Sequence, residues 1–140
     1  TQKKNISYFN TRYSFTLPTV KNTFYQVKIY PYLTLNNKRF VSPTPATRYI
    51  AKGVILQKAG NTSTTMSVKW KKVSGANSYS VYIQYPGSSS LKKVITTTSN
   101  TFTLTNMKKN TKYRINVIAN KKANGKNWTS ASNPYSMSLS

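Results

Sequence analysis

The segment NTKYRINVIAN at residues 110–120 indicates the fold class of the chain. Its apolar residues fall on every second position, and this alternation is typical of a β-strand with one buried face. These residues are Tyr113, Ile115, Val117 and Ala119. The segment TTMSVKW at residues 64–70 alternates in the same way, and the pair Asn124-Gly125 favours a tight type I′ hairpin. Since no helical periodicity is sustained and turn sequences recur about every ten residues, the chain is predicted to form an all-β sandwich.

A second version of the strand sequence, NTFYQVKIYPY, stands at residues 22–32. The similarity continues on both sides when the chain is compared with itself at an offset of 88 or 89 residues. Lys3–Ser7 then matches Lys92–Thr96, and residues 36–40 match residues 124–128. A period near 90 residues has the length of one sandwich domain, so the sequence predicts a tandem repeat.

Residues 52–140 resemble a fibronectin type III domain of the bacterial extracellular type. SVKWKKVSGANSYSVYI at residues 67–83 is similar to strands B and C of that family, and NTFTLTNMKKNTKYRINVIANKKANGKNW at residues 100–128 is similar to strands E to G. Residues 1–51 resemble only the second half of such a domain, from strand C′ to strand G. The resemblance therefore implies an all-β, immunoglobulin-like sandwich, with a half domain followed by a complete domain.

The same resemblance implies structural roles for several aromatic residues. Trp70, Tyr79 and Tyr113 would belong to the core of the complete domain, and a ligand-stacking role for Trp70 is the weaker alternative. Tyr25 and Tyr113 would be tyrosine-corner residues, whose hydroxyl groups bond to the main chain a few residues upstream.

The half domain raises a packing problem. A sandwich packs two sheets face to face, so a repeat without strands A, B and C leaves one face uncovered. Three arrangements solve this: strands from another molecule by strand addition, upstream sequence that is missing, or docking against the second domain of the same chain. The segment IYPYLTL at residues 29–35 has apolar or aromatic residues on both faces, which favours an interface, although an ordinary strand with exposed tyrosines is the alternative. The candidate assembly interface is Tyr25, Val27, Ile29, Tyr30 and Tyr32.

The charge balance is unusual. The 140 residues include 22 Lys and Arg but no Asp, Glu, His or Cys, which gives a formal charge of +22, whereas roughly 16 acidic residues are typical of a domain of this length. A natural polyanion-binding protein, an engineered supercharged variant, or a chain in which acidic residues were read as other residues would each explain this composition. A solvated basic surface and a polyanion patch are both open. The candidate patch is Lys112, Arg114, Lys121, Lys122 and Lys126.

The residue types also limit the function. General acid–base catalysis and metal sites draw mainly on His, Asp, Glu and Cys, so neither catalysis nor a cofactor is expected. No apolar run reaches the 18 or so residues of a membrane-spanning helix, so membrane insertion is not expected. The sequence predicts a non-catalytic structural or adhesive module of an extracellular bacterial surface protein or self-assembling filament. Its partners would be further copies of the chain or neighbouring domains of the same protein. The alternative is a cationic protein that binds nucleic acid, teichoic acid or a sulfated glycan.

Overall fold

The computed structural model describes residues 14, 16, 18 and 20–140, and its secondary structure in this part consists of strands and turns. The predicted match of Lys3–Ser7 lies outside the described residues. The strands are β1 (Phe24–Ile29), β2 (Tyr32–Leu35), β3 (Lys38–Val41), β4 (Ala46–Ala51), β5 (Leu56–Asn61), β6 (Met66–Trp70), β7 (Ser78–Gln84), β8 (Lys92–Thr97), β9 (Thr101–Leu104), β10 (Lys112–Ala123), β11 (Lys126–Thr129) and β12 (Tyr135–Ser138).

The strands from β5 onward form two antiparallel sheets. One sheet has the order β5-β6-β9, and the other has the order β11-β10-β7-β8 with β12 also paired to β10. The long strand β10 accommodates both partners on one edge, because β12 pairs with Lys112–Ile115 and β11 pairs with Asn120–Ala123. The predicted all-β sandwich is confirmed.

The alternating apolar residues of the central strands form the core between these sheets. Val68, Val81, Ile83, Ile115 and Val117 are fully buried, and burying such a side chain stabilises the fold by about 1.5–3 kcal/mol. The buried rings of Trp70 and Tyr79 meet edge to face at 5.4 Å. The core cluster runs from Val54 to Leu139, so the residues of this domain supply nearly all of its own packing.

Two tight hairpins close adjacent strands with the same backbone geometry. Asn124 and Gly125 join β10 to β11 with φ angles of 52° and 70°, which are the two positive values that a type I′ turn requires. Asn36 and Asn37 join β2 to β3 with φ angles of 49° and 60°. Glycine adopts this conformation without strain, and asparagine is among the few other residues that tolerate it.

The strands before residue 52 form two small antiparallel pairs, β1 with β4 and β2 with β3. β1 and β2 are separated at Pro31, which has no main-chain N–H group and cannot donate a ladder hydrogen bond. A β-bridge also connects this region to the second domain. In the described part of the chain, it is the parallel bridge between Thr23 and Ser74.

No helix in the described part of the chain is long and apolar enough to cross a membrane.

Candidate functional site: the junction between the strands before and after residue 52

The strands β1 to β3 reproduce the local geometry of β10 and β11 at an offset of 88 residues, whereas the pairing of β4 with β1 is shifted by one residue relative to that of β12 with β10. Asn22 and Asn110 both adopt positive φ angles, of 59° and 53°, just before the strand begins. Three residues later, the hydroxyl group of Tyr25 donates to the carbonyl oxygen of Val20 at 2.8 Å. The hydroxyl group of Tyr113 accepts a hydrogen bond from the N–H group of Lys108 at 3.0 Å. Both tyrosines therefore contact the main chain five residues upstream.

The hairpins continue this equivalence. Leu35 faces Lys38 across the first hairpin, and Ala123 faces Lys126 across the second. Beyond each hairpin, the main chain returns to the preceding strand through one further hydrogen bond. The Ser42 N–H group donates to Pro31 at 2.8 Å. The Ser130 N–H group donates to Ala119 at 2.9 Å, and each partner is again displaced by 88 residues.

Among the described residues, three main-chain hydrogen bonds join the two parts of the molecule. Ser74, in the loop after β6, donates its N–H group to the Asn22 carbonyl at 2.8 Å and accepts from the Phe24 N–H group at 3.0 Å. The Ala131 N–H group donates to the Ala51 carbonyl at 3.0 Å. These bonds tie the start of β1 and the end of β4 to one end of the second domain.

Side chains fill the junction around these bonds. Phe24 packs against the core cluster of the second domain, and the rings of Tyr49 and Trp128 lie 6.0 Å apart. The Lys121 ammonium group lies 4.9 Å from the centre of the Tyr49 ring and 3.3 Å from the Gly75 carbonyl oxygen. An ammonium group over an aromatic face is attracted by the electron-rich ring. The junction thus combines aromatic packing with a cation–π contact.

The two faces of the β1-β4 pair have different surroundings. Phe24 and Tyr49 lie on the face towards the second domain. The opposite face carries Tyr25, Val27 and Ile29, because successive strand residues point to opposite sides. Tyr25 and Val27 are half-buried, whereas Ile29 is 54% exposed. The three predicted arrangements concern the face with Tyr25, Val27 and Ile29, and they stay predictions. It is the opposite face, with Phe24, that packs against the second domain.

The remaining residues of the predicted interface lie on or next to the β2-β3 hairpin. Tyr30 is exposed, and the half-buried Tyr32 ring carries the Arg39 guanidinium at 4.4 Å from its centre. Several other large apolar side chains of this region are exposed, namely Leu33, Leu35, Phe40 and Val41. The predicted interface did not include Leu33 and Phe40, which face each other across the hairpin.

The residues of the predicted polyanion patch are not brought together. Lys112 and Arg114 lie at the start of β10 and Lys121 near its end, a separation of roughly 23–30 Å at the rise of a β-strand. Lys121 and Lys122 are consecutive strand residues, so their side chains point to opposite faces. Lys126 lies across the hairpin, opposite Ala123. Binding of an anionic polymer stays a prediction.

A buried polar network on the outer face of β7 and β10 was missed by the sequence analysis. The Asn120 side-chain amide donates to the Ser80 hydroxyl at 3.0 Å. The Asn116 amide donates to the Ser132 hydroxyl at 2.8 Å, and its oxygen accepts from the Asn133 N–H group at 3.1 Å. The alternation placed Asn116 on the solvent side of β10, but the chain after β11 crosses this face. No periodicity in the sequence signals that crossing.

In a comparison with known families, the model of the fibronectin type III domain matches residues 52–135. This match identifies the family. The chain belongs to the fibronectin type III family. The predicted resemblance is confirmed for the domain, while the bacterial origin stays a prediction. Fibronectin type III domains are generally non-catalytic modules and are commonly extracellular.

The chain is also similar to solved structures. The twitchin kinase region from C. elegans is 12% identical with a TM-score of 0.51, and the alignment covers 63% of this chain and 16% of that chain. FN3tt mut is 24% identical with a TM-score of 0.49 and coverages of 61% and 89%. An Fn3-like protein from Clostridium thermocellum is 26% identical with a TM-score of 0.41 and coverages of 61% and 85%. A search of curated proteins finds no match.

Proposed function

We propose that the chain is a non-catalytic structural module of an extracellular protein in which fibronectin type III repeats stack end to end. In this proposal β1 to β4 are the F and G strands of one repeat, and residues 52–140 are the next complete repeat. The observation that carries the proposal is the junction at Ser74, where the end of one strand pair is held by the main chain of the following domain. Since the same strand geometry recurs 88 residues later, the junction joins two units of one kind.

The chemistry of the junction agrees with a structural role. Its contacts are main-chain hydrogen bonds, an aromatic pair and one lysine over a ring. Such contacts fix the orientation of two modules, and they offer no group of the types that commonly act as general acids, bases or metal ligands. The 140 residues of the sequence include no Asp, Glu, His or Cys.

The partly exposed face of β1 and β4, which carries Tyr25, Val27 and Ile29, supports assembly with a neighbouring module. In the second domain, the equivalent residues Tyr113, Ile115 and Val117 are buried beneath the β5-β6-β9 sheet. The face with Tyr25, Val27 and Ile29 would be completed by a similar sheet, from a neighbouring chain or from a preceding part of the same protein. Completion by a neighbouring chain would make the protein a subunit of a filament or an adhesive surface layer.

Sedimentation velocity over a wide range of protein concentration tests completion by a neighbouring chain. The wild-type chain is expected to associate as its concentration rises, and Ile29→Ser should weaken the association because it removes apolar area from the uncovered face. Val94→Ser is the matched control, since Val94 is also partly exposed but lies on β8 in the complete domain. A wild-type chain that stays monomeric throughout, or equal effects of both substitutions, would argue against this mode of assembly.

The extracellular location rests on the usual location of the family, and it has its own test. Labelling intact producing cells with a membrane-impermeant amine reagent should modify the lysines of this protein. Labelling that occurs only after the cells are lysed would contradict the proposed location.

A further inference from the structure

The turn between β10 and β11 holds an Asn-Gly pair that is open to solvent. Asn124 and Gly125 are both exposed, and they lie beyond the last ladder pair of the hairpin, Ala123 with Lys126. Apart from its chain neighbours, no atom lies within 4 Å of a Cβ atom built on Gly125. The main-chain nitrogen of Gly125 therefore lies outside the ladder hydrogen bonds and in uncrowded surroundings.

An asparagine side chain in this position can react with the main chain that follows it. The Gly125 nitrogen bonds to Asn124 Cγ, the bond between Cγ and Nδ2 breaks, and ammonia leaves with the proton of the Gly125 nitrogen. Water then opens the five-membered imide ring. If water breaks the bond to Cγ, the product is aspartate. If it breaks the bond to the main-chain carbonyl carbon, the product is isoaspartate, in which the chain runs through the former side chain.

The hairpin between β2 and β3 provides an internal comparison. Asn36 and Asn37 form the same kind of turn with two positive φ angles, but the residue after each of them carries a side chain. A Cβ atom beside the attacking nitrogen hinders its approach to the asparagine side chain, whereas glycine has no Cβ atom. The two turns therefore share a backbone geometry and differ in the access to the nucleophile.

We propose that Asn124 is a site of spontaneous deamidation, and that the isoaspartate product releases β11 from its contact with β4. The reaction takes up water and releases ammonia, so it requires neither an enzyme nor an oxidant. The sequence contains no Asp or Glu, and either product therefore gives the chain a side-chain carboxylate that it otherwise lacks. This modification does not depend on how the repeats assemble.

The aromatic contact at the junction controls how often the turn opens. Asn124 has a φ angle of 52° in the closed turn, and its main chain must rotate to bring the Gly125 nitrogen to Cγ. Three of the four residues of β11 are exposed, and short exposed pairings open locally at little cost. The fourth residue, Trp128, packs on Tyr49 with the ring centres 6.0 Å apart. This contact keeps the turn closed and slows the reaction.

Isoaspartate does not fit the observed turn. It lengthens the main chain of a two-residue loop, whereas a type I′ turn requires two consecutive residues with positive φ angles. The pairing of Ala123 with Lys126 then loses its register, and Trp128 is no longer held against Tyr49. Aspartate keeps the loop length and tolerates a positive φ angle, so that product leaves the aromatic contact in place.

Peptide mapping of the folded wild-type chain tests the site of modification. The protein is incubated in mildly alkaline buffer, and mass spectrometry follows the replacement of an amide by a carboxyl group in peptides that span each hairpin. The rate at Asn124 should exceed the rate at Asn36 or Asn37 about tenfold or more, a difference of about 1.4 kcal/mol or more in activation free energy. Equal rates in the two hairpins would overturn the proposal.

Two substitutions test the mechanism. Gly125→Asn copies the turn of the first hairpin, so it should lower the rate at Asn124 to that at Asn36. Asparagine tolerates the positive φ angle, and circular dichroism checks that the variant is folded. Tyr49→Ala should raise the rate, with Tyr82→Ala on β7 as the matched control. A rate unaffected by Gly125→Asn would contradict attack by the Gly125 nitrogen, and a rate unaffected by Tyr49→Ala would contradict control by the junction.

Acrylamide quenching of tryptophan fluorescence tests the release of β11. The isoaspartate form, separated by chromatography, should be quenched more than the unmodified chain because Trp128 loses its contact with Tyr49. Asn124→Asp is the matched control, since it has the same charge and an unchanged loop, and its quenching should equal that of the wild type. Equal quenching of the isoaspartate form and of Asn124→Asp would overturn the release of β11.

Discussion

Tyr25 and Tyr113 stand 88 residues apart, and each places its hydroxyl group against the main chain five residues upstream. The Tyr25 hydroxyl donates to a carbonyl, whereas the Tyr113 hydroxyl accepts from an N–H group. A tyrosine hydroxyl can act in both ways, so one strand position makes the same turn contact in two repeats. The two sites differ in burial, because Tyr113 is only 5% exposed and Tyr25 is half-buried.

This difference predicts unequal effects of removing the two hydroxyl groups. Tyr113→Phe should lower the free energy of unfolding by about 1–2 kcal/mol, since the Lys108 N–H group then loses its partner beside the core. Tyr25→Phe should cost less, because water can replace the hydroxyl at the more exposed site. Equilibrium unfolding in urea measures both changes, and a larger loss for Tyr25→Phe would contradict the comparison.

The Tyr49 and Trp128 pair at the junction gives an optical test. Tyr49→Ala should expose the Trp128 indole and increase the quenching of tryptophan fluorescence by acrylamide. Trp70 contributes little to this change, because it is buried in the core. Tyr82→Ala, on β7, is the matched control. Unchanged quenching in Tyr49→Ala, or an equal increase in the control, would show that the ring contact does not shield Trp128.

Gly53 lies between the two repeats and has little space around it. A Cβ atom at this position would lie 2.5 Å from the Cβ atom of Asn133 and 3.1 Å from the Ser132 carbonyl oxygen. Gly53→Ala should therefore destabilise the chain by about 1–3 kcal/mol, the usual cost of overpacking. Gly60→Ala is the control, since no atom lies within 4 Å of its added methyl group. Thermal unfolding compares them, and similar melting temperatures would contradict the packing of Gly53.

The composition predicts an unusual dependence of stability on solution conditions. Asp, Glu, His and Cys are the side chains that ordinarily titrate between about pH 3 and 9, and the sequence contains none. The melting temperature should therefore stay constant between about pH 5 and 7. It should rise with added salt, because salt screens the repulsion among charges that sum to +22. A marked loss of stability between about pH 5 and 4 would indicate carboxylates and favour the explanation that acidic residues were misread.

The sequence was sufficient to predict the sandwich and its hairpin, because strand alternation and turn residues are local signals. The alternation around Val68 and Val117 correctly located strands that face the core, and Asn124-Gly125 correctly located a turn with two positive φ angles. These features depend on neighbouring residues along the chain. Most of the fold could therefore be predicted from local sequence patterns.

The junction could not be predicted in the same way, because its main-chain bonds join Asn22 to Ser74 across about fifty residues. A main-chain contact does not require a particular residue type, so it cannot be recognised in the sequence. For a related reason, the sequence did not show that Lys112 and Lys121 lie far apart, although both are on β10. The role of Lys121 over the Tyr49 ring also depends on the docking of two units.

Amide hydrogen exchange at Phe24 and Ser74 tests the proposed stacking of strands β1 to β4 on the domain at residues 52–140. If the strands are stacked in this way, both N–H groups should exchange slowly and with similar protection. Each is bonded across the junction, and opening the junction frees both. Exchange of both groups at the rate of an unfolded chain, while the core amides of β7 and β10 stay protected, would contradict this stacking.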